Sequence, residues 1–364
     1  MKIKVEKEAL LTGLQKVQAV VAPRTSLPVL QNILFKAEDG KLWLTTTDLD
    51  LSVRACVEAE VVKAGETTLP AKRIMMVVRE AAGNEVEIES DDRQIATIRA
   101  GATTTKLNGI SADDFPPVPV FEGARSYAID QGVFKAMLQR TGYAASTDES
   151  RQVLNGALLS FKEGRLTIVA TDGRRLALIE QEVEFPKEAE AELVLPSKTI
   201  AEMIRTIDGE GAMKIHATAN QVAFDSGKVV VVSKLVDGAY PNYRQVIPPQ
   251  CEQRITIERE QFMSAVRRVA LLTSDQSNSV KLTFAKNRVE VSAVTPEVGE
   301  AKETITVKYG GPDISVSFNP AFLLDPLKNL VADQIYFELN DEISPGVVKT
   351  DDPFLYVIMP MRMT

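Results

Sequence analysis

The chain repeats itself at a domain-sized period. Thr47, Thr171 and Thr295 stand 124 residues apart, and each closes a strand-like run, at 42–47, 166–171 and 289–295. The first two copies share more: Val29-Leu30-Gln31-Asn32 answers Val153-Leu154-Asn155-Gly156, and Asp48 answers Asp172. Leu69-Pro70-Ala71-Lys72 answers Leu195-Pro196-Ser197-Lys198 one loop later. A period this long is too large for a solenoid unit and has the size of a domain. Three copies use nearly all of the 364 residues, so function must belong to the array or to sites on it. The expected domains are 1–124, 125–250 and 251–364. Their linkers, Phe121-Glu122-Gly123-Ala124 and Pro248-Pro249-Gln250, are short enough to dock neighbours closely.

Each copy reads as two helices among short strands. Apolar spacing at Leu10, Leu14, Val17, at Phe134, Met137, Leu138 and at Phe262, Val266, Val269 predicts first helices over about 6–21, 130–146 and 258–273. Acids at their starts suit the helix dipole. Second helices are expected over about 70–83, 196–209 and 319–332, two with Pro in the first turn and the third with Asn319 as N-cap before Pro320. Glu38-Asp39-Gly40-Lys41, Lys162-Glu163-Gly164-Arg165, Thr218-Ala219-Asn220-Gln221 and Ala285-Lys286-Asn287-Arg288 are hairpin signals. The fold class is α+β: three repeated domains of mostly antiparallel sheet, each with two helices on one face. Such domains expose edge strands, and pairing those edges across domains and subunits closes a ring.

No apolar run approaches the ~18–20 residues of a membrane span, no signal-peptide pattern follows Met1, and Cys56 and Cys251 make no disulfide framework; a reduced cytoplasmic setting is expected. The net charge of −8 argues on its face against nucleic acid. The helical windows, however, hold 13 bases against 9 acids, a net +4, which leaves −12 for the remainder. Helices facing one way would then offer phosphates a basic surface; a solvated face is the plain alternative. No nucleophile–base pair, metal-ligand spacing or phosphate loop is apparent, and neither catalytic residues nor a cofactor or metal is expected. The lone His216 reads as structural. Asp48 and Asp172 are the only repeated acids at strand ends, and turn formation suits them better than acid/base work. A hydrolase on this scaffold and a peptide-binding scaffold without DNA remain the rival readings.

Thr171-Asp172-Gly173-Arg174-Arg175-Leu176, Ser233 to Gly238, Tyr240-Pro241-Asn242-Tyr243-Arg244 and the closing Tyr356-Val357-Ile358-Met359-Pro360-Met361-Arg362 stand in order along the chain. Together they resemble the bacterial DNA sliding clamps, the beta subunits of DNA polymerase III. The resemblance implies a head-to-tail homodimeric ring of six similar domains, with helices lining a hole that double-stranded DNA threads without regard to sequence. It implies tethering of the replicative polymerase rather than catalysis, contact with a clamp loader, and recruitment of translesion polymerases and mismatch-repair factors, with no membrane. By the same resemblance a peptide pocket takes Leu154, Thr171, Gly173, Arg174, Arg175, Leu176, Pro241 and Val246 on one side. Arg151, Asn319, Phe322, Ile343, Val357, Met359, Pro360, Met361 and Arg362 form the other. Arg24, Lys72, Arg73, Lys198, Arg205, Arg267 and Arg268 would meet DNA, and Leu271 and Leu272 would meet the partner subunit near Leu107. Arg174 departs from the His common in the family, Val153 from an aromatic and Pro345 from a small polar residue.

Overall fold

In the computed structural model every residue is described except Pro23, Val120, Glu122, 275–277, Glu297 and 362–364. The six expected helices form, each trimmed: α1 Lys7–Gln18, α2 Ala71–Arg79, α3 Gln131–Thr141, α4 Ser197–Thr206, α5 Arg259–Ala270 and α6 Pro320–Asn329. The longest overshoot, at α3, ends in a 3-10 turn, Gly142–Ala144. Pro70 and Pro196 are the last residues of strands and precede α2 and α4, so neither lies in the first helical turn. The fixed proline φ suits an extended residue as well as a helical one. Asn319 does cap α6, accepting from the Ala321 N–H at 2.9 Å. The hairpins at Asp39-Gly40 and Glu163-Gly164 have positive φ at both central residues, which matches the twist of the strands they join.

Two compact units result, one of Met1–Lys135 with Ala201–Leu235 and one of Ala136–Ile200 with Val236–Thr364. Compactness does not follow the threefold repeat, because the middle copy gives one group of strands to each unit. In the first unit its strand Val229–Lys234 pairs antiparallel with Leu51–Glu58 of the first copy, making one eight-stranded sheet. In the second, Arg175–Glu182 pairs with Phe354–Ile358 of the third copy, making another. Strand hydrogen bonding thus crosses the repeat boundaries. A five-stranded sheet in the first unit ends at the edge strand Thr103–Asn108, and a four-stranded sheet in the second ends at Gly299–Thr306.

Helices cover the sheets with buried apolar faces. Leu10, Leu14 and Val17 of α1 are fully buried, and Gly13 permits the close approach: a Cβ there would lie 2.5 Å from Val57 Cγ2. The core of the third copy gathers Phe262, Phe284 and Phe318 around Phe337, with ring centroids 6.2, 5.5 and 5.9 Å away. Within α6, Pro326 has no N–H to give the carbonyl four residues back. That carbonyl, of Phe322, instead accepts from the Tyr356 hydroxyl at 2.8 Å, and burial raises the Tyr356 pKa, which keeps the hydroxyl protonated to donate. Tyr356→Phe keeps the ring and orphans this acceptor. It should cost about 1–3 kcal/mol, read as a lower urea midpoint for the second unit; an unchanged midpoint would contradict the assignment.

Candidate functional site

The strand Arg165–Thr171 ends in a turn built by its own side chains. Thr171 Oγ1 donates to the Arg175 carbonyl at 2.6 Å and accepts from the Gly173 N–H at 3.1 Å. Asp172 Oδ1 accepts from the N–H groups of Arg174 and Arg175 at 2.8 and 3.0 Å. Gly173 sits at φ +85°, in the left-handed region open to glycine. The first copy makes the same turn: Leu49 N–H donates to Thr47 Oγ1, and Asp48 Oδ1 accepts from Asp50 and Leu51. Both repeated aspartates are therefore turn formers, and the hydrolase reading loses its candidate residues.

Arg175 departs from the rim position expected of it. Its side chain is 10% exposed and ion-paired on two sides, Nε to Asp172 Oδ2 at 3.0 Å and Nη1 to Asp325 Oδ2 at 2.6 Å. Nη2 donates to the Tyr143 carbonyl at 2.6 Å, and the guanidinium lies 4.4 Å from the Phe322 ring centroid. One planar cation so ties the turn, α6 and the Gly142–Ala144 turn together, a task its fork of donors suits. The residues missed in the sequence are its partners. Asp325 and Tyr143 lie far away in the chain with no motif around them. The Tyr143 hydroxyl is buried without a hydrogen-bond partner among the described residues, and burial raises its pKa.

Around this lock runs an apolar floor. Leu176 pairs with Val357 across the join between copies, and both belong to a buried cluster with Leu158, Val169 and Val194. The segment 236–247 covers part of that cluster through Val236, Tyr240, Tyr243 and Ile247, and the Tyr240 hydroxyl accepts from the Thr171 N–H. Pro241 and Val246 follow on this segment, both exposed. The terminal residues are held in place: the Met359 N–H donates to the Arg174 carbonyl at 2.9 Å and the Met361 N–H to the Ser317 carbonyl at 2.8 Å. Met359 and Met361 remain 41% and 39% exposed, leaving thioether surface open to solvent. Leu154 is half-buried in a 3-10 turn, Gln152–Leu154. Exposed Arg151 reaches the Asp172 carbonyl at 3.4 Å, and Pro360 is half-buried between the two methionines. Ile343, 85% exposed, tips the loop before Gly346, which pairs with Ile358. Arg362 lies outside the described residues.

The candidate DNA-contacting bases divide into two groups. Arg24, Lys72, Arg73 and Arg267 are exposed and make no hydrogen bond or ion pair among the described residues, and Lys198 is exposed on α4. Arg205 instead holds α1 to α4, donating to the Gln15 carbonyl at 2.8 Å and pairing with Glu202. Arg268 pairs with Glu303, Nε at 2.9 Å. Leu271 is 75% exposed, Leu272 half-buried, and Leu107 half-buried on the edge strand.

Three family models match end to end: the N-terminal domain of the DNA polymerase III beta subunit over residues 1–119, its central domain over 128–242 and its C-terminal domain over 244–362. The chain belongs to the DNA polymerase III beta subunit family. It is 33% identical to the beta sliding clamps of Chlamydia muridarum, over 100% of this chain and 99% of that one, and of Pseudomonas aeruginosa, over 100% of both. The P. aeruginosa clamp structure bound to griselimycin superposes with a TM-score of 0.95 at 32% identity, and the Bacillus subtilis clamp with 0.95 at 28%, each covering both chains fully. The Arg175 lock joins the 171–175 turn to α6. Arg175→Ala strips two carboxylates of their partner and should destabilise the second unit by about 3–5 kcal/mol, measured by denaturant titration; a loss below about 1 kcal/mol would mean that the pairs are as weak as surface ones.

Proposed function

We propose that two copies of the chain, each with domains 1–124, 125–250 and 251–364, close head to tail into a six-domain ring around duplex DNA. The ring tethers the replicative polymerase and confers processivity. It is non-catalytic, uses no cofactor and works in the cytoplasm, where a clamp loader would place it on DNA. The observation that carries this reading is the end-to-end match of all three domains to one subunit.

Ring closure would use two of the sheet edges, Thr103–Asn108 and Gly299–Thr306. A head-to-tail contact that closes after two subunits gives a ring rather than a filament. The exposed Leu271 would enter the partner's hollow of about 270 Å³ beside the first edge, lined by Met76, Val77, Ile98, Ala100 and Thr105 among others. Leu107 and Leu272 flank the same proposed contact. Leu271→Asp would bury an unpaired charge there and should give monomers in sedimentation at nanomolar concentration, whereas a persistent dimer would rule out this contact.

The exposed bases are proposed to touch phosphates, which makes binding independent of sequence and sensitive to salt. Arg24, Lys72, Arg73 and Arg267 carry most of this, joined by exposed Lys198, while Arg205 and Arg268 are held by carboxylates. Arg73→Ala should lower the slope of log affinity against log salt by about one; Arg205→Ala should change it less and lower stability instead. Equal slopes for both variants would contradict the division.

The groove on the second unit would take short peptide segments carrying Gln, Leu and an aromatic residue from the polymerase, the loader, translesion polymerases and mismatch-repair factors. Adaptable thioethers suit a site with many clients. Deleting 359–364 should abolish peptide binding and polymerase stimulation and leave the dimer intact. Processive synthesis with the truncated chain would refute the groove assignment while leaving the ring in place.

A further inference from the structure

The strand alternation that sets Leu176 on the groove floor sets Leu178 on the same face, and the register puts Leu355 opposite Leu178 as it puts Val357 opposite Leu176. The apolar floor is therefore two rows long, and only the first row belongs to the proposed groove. The second row lines a separate hollow of about 400 Å³ with Tyr243, Ile247 and Phe354. Tyr243 and Ile247 pack on the same apolar cluster as Leu176 and Val357, so groove and hollow share one floor beneath the Tyr243–Val246 turn.

Four charged residues rim the hollow: Glu180, Arg244, Lys349 and Asp352. Three have partners. Lys349 Nζ sits 2.6 Å from Glu338, Asp352 lies 2.7 Å from Arg140, and Glu180 faces Arg165 at 3.6 Å. Arg244 has no carboxylate partner among the described residues, and its guanidinium lies 5.6 Å from the Tyr243 ring centroid. A half-buried apolar floor beside one cation lacking a counter-charge is complementary to an apolar side chain followed by a carboxylate.

We propose that this hollow extends the peptide groove and takes the residues that flank the groove-filling segment of the same partner: one apolar side chain on Leu178 and Leu355, and a neighbouring acid on Arg244. The proposal rests on the groove reading given above. It makes the flanking sequence, rather than the core segment, the means by which clients of one groove are ranked.

The test is fluorescence anisotropy on the full chain with a short peptide carrying Gln, Leu and Phe, and with the same peptide lengthened by Leu-Asp or by Leu-Lys at either end. At one end the Leu-Asp extension should tighten binding by about tenfold, the effect of one modest contact. In Arg244→Glu the preference should reverse to Leu-Lys, while the short peptide binds as before, which also shows that the variant is folded. No gain from either extension, or a Leu-Asp gain that survives Arg244→Glu, overturns this inference and leaves the groove standing. A short peptide that does not bind overturns the groove reading and this inference with it.

Discussion

Strand pairing across repeat boundaries is the interaction on which the rest of this structure depends. The five cross-strand pairs between Arg175–Glu182 and Phe354–Ile358 fuse the second and third copies into one sheet. The pairing of Val229–Lys234 with Leu51–Glu58 does the same for the first and second. A flexible tether would let neighbouring domains move independently; a shared sheet does not, because a one-residue slip would turn every buried side chain to the wrong face. The apolar cluster beneath the proposed groove exists only through this register, which sets Leu176 of one copy against Val357 of the next.

The terminal segment shows how that register reaches function. After Ile358 the strand ends, yet the backbone remains bonded to the Arg174 and Ser317 carbonyls. Arg175 beneath it converts an Asx-type turn into an anchor for α6 by pairing with Asp325. In the proposed groove, buried charge and strand hydrogen bonds would hold the lining in place before a peptide binds, so the peptide would lose chiefly its own disorder. The first copy builds the same turn around Thr47 and Asp48, but places the half-exposed Leu49 at φ +81° where the second has Gly173. There Asp50 is bridged by Lys234 at 2.9 Å, where the second join presents Arg174 and an open methionine.

Much of this was legible in the sequence because it is local or periodic. The helices follow from apolar spacing, the hairpins from Asp39-Gly40 and Glu163-Gly164, and the α6 cap from Asn319-Pro320. The placing of Asp48 and Asp172 at strand ends in separate copies favoured turn formation over paired acid/base work. The partition into two units was not legible, since nothing in the run Tyr356-Val357-Ile358 names the strand it pairs with. The burial of Arg175 was likewise hidden, because its partners Asp325 and Tyr143 are distant in the chain. Helical charge counting found the basic elements but could not separate Arg73, exposed and without an ion pair among the described residues, from Arg205, which is bonded to α1. The second floor row could have been read from the alternation Leu176-Ala177-Leu178, had the covering segment been known.

Topological tethering is the central claim, and it separates a ring from every other DNA-binding mode. The direct measurement is retention of the chain, after loading by a clamp loader, on circular plasmid DNA and on the same plasmid cut once, separated by gel filtration at high salt. A ring stays on the circle and runs off the linear ends. Equal retention on both forms, or equal loss from both, would contradict encirclement.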